Sequence, residues 1–355
     1  MRTLTTVALL VAFAAPSLAA DKSKRGQMDE DVKKATAKGL EWLASKQNAN
    51  GSWSDGRYEN NTAITGFALM AFMSQGHVPN QGKYGPEVAK GARFLLSQAR
   101  ESDGYLAGVG GIGNMYCHGM ATLALSQLFG MTGDEEVKKV LKRAVDLIVK
   151  SQAQDAWNGG GWRYDPTPTG ADISVTIMQV MALRGAKDSG LHVPDKTMKA
   201  ALAYIDRCYD DSTGGYTYQP GNRAPGFART AAGICVVKLT GEYDKNVDKS
   251  VAYLKRQMEY PREHYWYGHY YACHAMYQVG GKDWDDYYAL IKKQFMPMQQ
   301  SNGSWSRGYD GQSPGPVYQT AIAVLALSVP ADYLPIFQRC AAAALVPPGR
   351  FEARA

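Results

Sequence analysis

A Gly-x-aromatic turn that returns along the whole chain constrains the fold more than any other feature. Its fullest copy runs from Lys38 to Trp53: a short amphipathic stretch ending at Gln47, then Gly51-Ser52-Trp53. Near the C-terminus it returns almost unchanged as Gln299-Gln300-Ser301-Asn302-Gly303-Ser304-Trp305. Between these stand Gln98 with Asp103-Gly104-Tyr105, Gln152 with Gly160-Gly161-Trp162, and Gly214-Gly215-Tyr216. A degraded copy is legible at Tyr265-Trp266-Tyr267. A period of roughly 40–57 residues is long enough for one helical hairpin per repeat.

Each repeat holds two helices of opposite character. The first of each pair opens on acid or Pro: Asp29-Glu30-Asp31, Pro86-Glu87, Asp134-Glu135-Glu136, Pro194-Asp195, Asp244, and Asp283 to Asp286. Carboxylates favour the positive end of the helix dipole, and Pro fits the first turn. One face of these helices is apolar at helical spacing, as in Val137, Leu141, Ala144 and Ile148, while the other is Lys-rich. The second helices read 62–74, 116–129, 173–184, 227–239, 269–279 and 317–328, with few charges and many small residues. A helix apolar on nearly every side is buried on most of them. Gly76, Gly130, Gly241 and Gly280 follow four of them as C-terminal stops. Six wet-faced helices alternating with six buried ones predict an all-α, (α/α)6 toroid of six helical hairpins. The buried helices form its inner ring, and the first repeat packs on the sixth in place of capping repeats.

The first twenty residues stand apart. Met1-Arg2 is a basic start, Thr6 to Ala15 is apolar, and Ser17 to Ala20 offers small residues for cleavage. That pattern reads as a signal peptide, its apolar run being too short to span a bilayer. The expected organisation is a signal peptide over 1–20, a short linker over 21–28, one toroid domain over 29–340 and a tail over 341–355. The protein is then exported, periplasmic or secreted, with no transmembrane segment. The formal net charge of +6 is spread, with no Lys/Arg run longer than three, so a nucleic-acid partner is not expected. Five cysteines are scattered, and Cys117, Cys235 and Cys273 fall inside apolar helical patterns, so a disulfide framework is not expected.

Aligned on their Ala/Leu cores, the inner helices bring Thr65, His118, Thr176, Thr230, Tyr271 and Thr320 to one position near each N-terminus. Two residues earlier come Ala63, Tyr116, Ser174, Ala228, His269 and Tyr318. Thr and Ser at such positions satisfy orphan helix-end groups. Tyr116, His118, His269 and Tyr318 are not capping types. With Thr176, Arg229, Tyr270 and Tyr271 they make the candidate ligand-binding set, around one mouth of the ring. No metal or cofactor is expected: zinc takes three or four ligands, and His269 and His274 have no thiolate or carboxylate near them in sequence.

The Lys/Arg-Gly/Ala…Gln…Gly-x-Trp repeats, each followed by a Thr-Ala-type inner helix, resemble those of squalene–hopene cyclases and related terpene cyclases. The β subunits of protein prenyltransferases share that architecture. The resemblance spans about residues 29–338. It implies the toroid already reached from periodicity, with a central cavity that holds an extended isoprenoid chain. It also implies a catalytic acid, because the cyclases protonate an alkene from an Asp-x-Asp-Asp segment opening an inner helix. The matching segment here is Asp172-Ile173-Ser174-Val175-Thr176, with the first Asp kept and Ser174 in place of the central donor. On the resemblance Asp172 is the candidate catalytic residue; on the residues alone it is equally a helix cap. The literal Asp283-Trp284-Asp285-Asp286 opens an outer helix, where the dipole explains it.

The expected function is binding of an extended, apolar, isoprenoid-like ligand, with cyclase or isomerase chemistry weakened by loss of the central acid. The alternative is an exported, non-catalytic scaffold for a protein, peptide or glycan partner. Glycosidase chemistry needs two carboxylates flanking the bond, and Asp172 is the single carboxylate placed at an inner helix start.

Overall fold

The computed structural model describes residues 28–108, 114–222, 224–241, 246–259, 261, 263–306 and 313–338. The signal peptide, most of the linker, Asp244 and the tail expected from sequence lie outside the described residues. Twelve α-helices make up most of these residues. They are α1 (Glu30–Ser45), α2 (Thr62–Met73), α3 (Gly85–Ser97), α4 (Met115–Thr132), α5 (Glu135–Lys150) and α6 (Ile173–Asp188) in the first half. Then follow α7 (Asp195–Arg207), α8 (Phe227–Thr240), α9 (Val247–Lys255), α10 (Tyr265–Val279), α11 (Gly281–Phe295) and α12 (Pro316–Ser328).

The even-numbered helices pack in the order α2, α4, α6, α8, α10, α12 and back onto α2, a closed inner ring. Outside α2, α4, α6, α8 and α10 lie α3, α5, α7, α9 and α11. The remaining outer place, on α12, is filled by α1, so the chain's first helix closes the ring on its last. The α/α toroid read from the alternation of wet and dry helices is the fold observed.

The repeated residues are the joints between neighbouring hairpins. Gln47 Nε2 donates to Gly51 O and, across the joint, to Glu87 O at 2.8 Å. Gln152 does the same to Gly160 O and Thr197 O, and Gln299 to Gly303 O and Ala35 O, the last bond closing the ring. The indoles of Trp53, Trp162 and Trp305 are fully buried and donate to Leu43 O, Ile148 O and Phe295 O at 2.7–2.8 Å. Each joint thereby buries a large ring whose one polar atom is satisfied, worth about 2–3 kcal/mol in transfer free energy. Gly160 has φ +95, and a Cβ there would stand 2.1 Å from Ala200 O on α7. Only glycine has room for so close an approach between turn and outer helix.

Three details differ from the sequence reading. In the second repeat the buried residue after the turn is Leu106, not Tyr105, so the aromatic position is shifted by one and filled by an aliphatic. Helix α4 runs through Gly130 to Thr132 and ends on Gly133 at φ +69. Helix α10 begins at Tyr265, four residues earlier than its Ala core implied. Tyr265-Trp266-Tyr267 is therefore its first turn and not a connecting loop.

The end of the ring where the inner helices finish is stoppered by Leu334 to Phe337. Ile336 N–H donates to Gln127 Oε1, Gln278 Nε2 donates to Phe337 O, and the Phe337 ring stacks on His274. Above this stopper the axis is filled by rings in edge-to-face contact: His274 on Tyr270 at 5.0 Å, Tyr270 on Tyr271 at 4.9 Å, and Tyr271 on Tyr267 at 4.9 Å. Among the described residues, the hollow of the toroid is left only at the opposite end.

Candidate functional site

That hollow is a cavity of about 410 Å³ where all six inner helices begin. Its size falls within the range of small-molecule sites. The floor is apolar, formed by Ile64, Phe67, Met120 and Met178. Tyrosines stand around the wall: Tyr58, Tyr116, Tyr164, Tyr218, Tyr267 and Tyr318. Asn61, Asn114, Ser174, Arg229, His264 and Ser313 supply the polar edge. No described lining residue is a carboxylate, and Arg229 is the one fully charged side chain among them.

The helix starts explain how this wall is positioned. Asn61 Oδ1 accepts from the N–H groups of Ala63 and Ile64, and Asn114 Oδ1 from Tyr116 N–H. Asp172 Oδ1 accepts from Val175 N–H at 3.0 Å. Asp172 is thus to α6 what Asn61 is to α2 and Asn114 to α4, a side-chain cap. It is fully buried and does not line the cavity. Its reach toward the hollow is indirect: Ser174 Oγ donates to Asp172 Oδ1 at 2.6 Å, and the Tyr116 hydroxyl donates to Ser174 Oγ.

Of the residues singled out from sequence, Tyr116, Arg229 and Tyr318 line the cavity. His118, Thr176, His269, Tyr270 and Tyr271 lie behind or beneath it, all fully buried. Thr176 Oγ1 accepts from Trp162 N–H, as Thr65 does from Trp53, Thr230 from Tyr216 and Thr320 from Trp305. His118 holds the same post in α4: Nδ1 accepts from Leu106 N–H at 3.1 Å, which leaves Nε2–H facing Ala144 O at 3.1 Å. Both nitrogens are used, and burial pushes this imidazole down to about 4. The shared position is a hinge pin for the preceding turn. In α10 the residue as far past the helix start as His118 is in α4 is Gly268, not Tyr271, so that helix lacks the pin. His269 Nδ1 meets Tyr287 OH at 2.8 Å, and burial pushes it down to about 3.

Two groups escaped the sequence reading. The caps Asn61 and Asn114 face the cavity, and their signal was present, an Asn four residues before Thr65 and His118. Asp55 gave none. Its carboxylate, 4% exposed, accepts from Tyr318 N–H at 2.8 Å and caps α12 from a turn 263 positions earlier in the chain. Burial pushes it up to about 6, against the opposing pull of the Tyr318 and Val317 N–H groups. Among the described residues no cluster of His, Cys, Asp or Glu is arranged to hold a metal ion. The four described cysteines are buried, with no disulfide among them.

No protein-family model matches the chain, and no curated protein sequence does either. Solved structures do resemble it. An inactive α-1,6-mannanase, GH76A of Salegentibacter sp. HEL1_6, bound to α-1,6-mannotriose, superposes with a TM-score of 0.64 at 9% identity, over 84% of this chain and 98% of that one. Cellobiose 2-epimerase from Bacillus thermoamylovorans B4167 gives 0.63 at 12% identity, over 84% and 98%. The type II terpene cyclase MstE from Scytonema, without ligand, gives 0.60 at 14% identity, over 86% and 99%. Glycan-active enzymes and a terpene cyclase thus share one α/α toroid with this chain, and at such identities the likeness establishes the fold alone.

Proposed function

We propose that this protein binds an elongated, mainly apolar small molecule of isoprenoid type in the tyrosine-walled cavity. The observation that carries the reading is the floor: Ile64, Phe67, Met120 and Met178 close the hollow with apolar surface, and no described carboxylate faces it. Burying an apolar chain there gains about 25 cal/mol per Å² of surface removed from water. Glycoside chemistry would call for two carboxylates on opposite sides of a bond. Alkene protonation would call for an acid in contact with the chain, whereas Asp172 stands behind Ser174 and caps a helix. Binding, without turnover through Asp172, is the reading these positions favour. Export, read from residues 1–20, is part of the proposal; N-terminal sequencing of the mature protein is expected to start near Ala20 or Asp21.

The test is uptake of labelled geranylgeraniol and squalene by the purified protein and by Ala63→Trp, which projects a ring into the hollow from the start of α2. Saturable uptake of one chain per protein, weakened at least about tenfold in the variant with helical content unchanged, is the expected result. Uptake of neither geranylgeraniol nor squalene overturns the reading. A second reading, a glycan site, is favoured by one observation: Tyr164 and Tyr218 pair their hydroxyls at 2.8 Å on the exposed rim, where sugar faces could stack. The mannanase with this fold was solved with α-1,6-mannotriose bound. Mannotriose that binds here while the apolar chains do not would establish it.

A further inference from the structure

One corner of the cavity is built to read a single polar group. Asp172 carries no exposed surface, and its Oδ1 takes the Ser174 hydroxyl at 2.6 Å as well as Val175 N–H. A carboxylate only accepts, so the one hydrogen of Ser174 Oγ is committed to it. Ser174 Oγ therefore accepts from Tyr116, and the one hydrogen of the Tyr116 hydroxyl is committed in turn. Burial, with Tyr267 and Asp172 close by, holds the Tyr116 phenol well above its usual range, so it stays protonated. The donors all run inward toward Asp172, and Tyr116 presents only lone pairs to the hollow. Beside it Tyr267, also in the wall, has a buried hydroxyl that makes no well-formed hydrogen bond; the neighbouring Tyr271 hydroxyl stands on its acceptor side, so its own hydrogen is unspent. One wall atom needs a donor from the ligand and the other has a donor to spare.

We propose that the ligand of this cavity is an alcohol, an apolar chain whose hydroxyl donates to Tyr116 and accepts from Tyr267. This rests on the apolar-cavity reading and sharpens it. A hydrocarbon leaves the Tyr267 hydroxyl unsatisfied, an ether has no hydrogen to give Tyr116, and an anion would meet the Asp172 carboxylate across two hydroxyls. Arg229, the cation among the described wall residues, belongs to α8 and gives Nη2 to Ala224 O. Asp172 is a positioning residue here: it fixes the direction of the hydroxyl relay and touches no ligand.

The experiment compares the affinities of four compounds sharing one C20 chain: geranylgeraniol, its methyl ether, the parent hydrocarbon and the monophosphate ester. The wild-type protein is expected to prefer the alcohol over the ether by about tenfold, the worth of a hydrogen bond on a charge-terminated relay. Tyr116→Phe is expected to bring that ratio close to one. Ser174→Ala frees the Tyr116 hydrogen to donate, so the ether is expected to gain affinity until it matches the alcohol. A merely structural role for Ser174 would weaken both ligands alike. Equal binding of alcohol and ether by the wild type overturns the inference and leaves the apolar cavity standing. Failure of all four to bind overturns both. A monophosphate bound more tightly than the alcohol, with the gain lost in Arg229→Gln, also overturns it, because the polar end would then be anionic and seated on α8.

Discussion

Thr176 and His118 are chemically unlike, yet each spends its polar atom on the N–H that follows a joint glycine. Replacing Thr176 by Val keeps the shape and leaves Trp162 N–H buried without a partner. A loss of about 1–3 kcal/mol is expected, read from urea unfolding. The buried histidines set a pH dependence. His118, His269 and His274 are held at about 4, about 3 and about 3, against 6.5 for an exposed imidazole. The unfolded chain therefore binds protons that the folded one refuses, and stability contributed by these groups is lost as pH falls below 6.5. Asp55 works the other way: its folded value of about 6 lies above 3.8, so its share of stability is lost as pH rises from 3.8 through 6. Net stability is expected to fall between pH 6.5 and 4, by about 1.4 kcal/mol per proton per pH unit. Asp55→Asn removes the opposing group, so the fall should steepen while stability at pH 7 increases. A variant whose profile tracks the wild type would show that Asp55 does not titrate in this window. At this scale the sequence displayed residue types and hid partners: His118 resembled a ligand group because nothing local announces Leu106.

Among the elements, the joint glycines were legible and so was their reason. Gly160→Ala would drive a Cβ to 2.1 Å from Ala200 O at φ +95, whereas Gly133 has φ +69 and nothing within 4 Å. Gly133→Ala is expected to cost about 1 kcal/mol, the backbone penalty alone. Gly160→Ala should cost several times more, because α7 must move; equal melting temperatures for the two variants would contradict the close packing. The fifth repeat was the least legible. Its aromatic residues mimic a turn motif, but Tyr265 already belongs to α10, and His264 precedes it at φ +52. Helix starts are set by capping and tertiary packing, so an alignment on apolar cores placed this one four residues late.

The whole ring was readable from the alternation of polar and apolar helices, because two concentric rings bury six all-apolar helices without polar end caps. What was not readable is how far the ring is filled. The stopper at 334–337 comes from beyond the last repeat, and the Tyr270–Tyr271–His274 stack shortens the hollow from below. Asp55, which ties the first turn to the last inner helix, also depends on closure and leaves no local mark. Closure makes α1 structural in the strongest sense: without it Trp305, Gly303 and the outer face of α12 lose their cover. A chain lacking residues 28–46 is expected to lose cooperative unfolding altogether, not to keep five folded hairpins, as circular dichroism during heating would show. The measurement closest to the proposed function is organic extraction and mass spectrometry of the protein purified from its native source. A long-chain, hydroxylated apolar molecule at about one per protein is the expected result. A protein that yields no such molecule and takes up none when offered C20 and C30 chains would contradict the reading of the cavity.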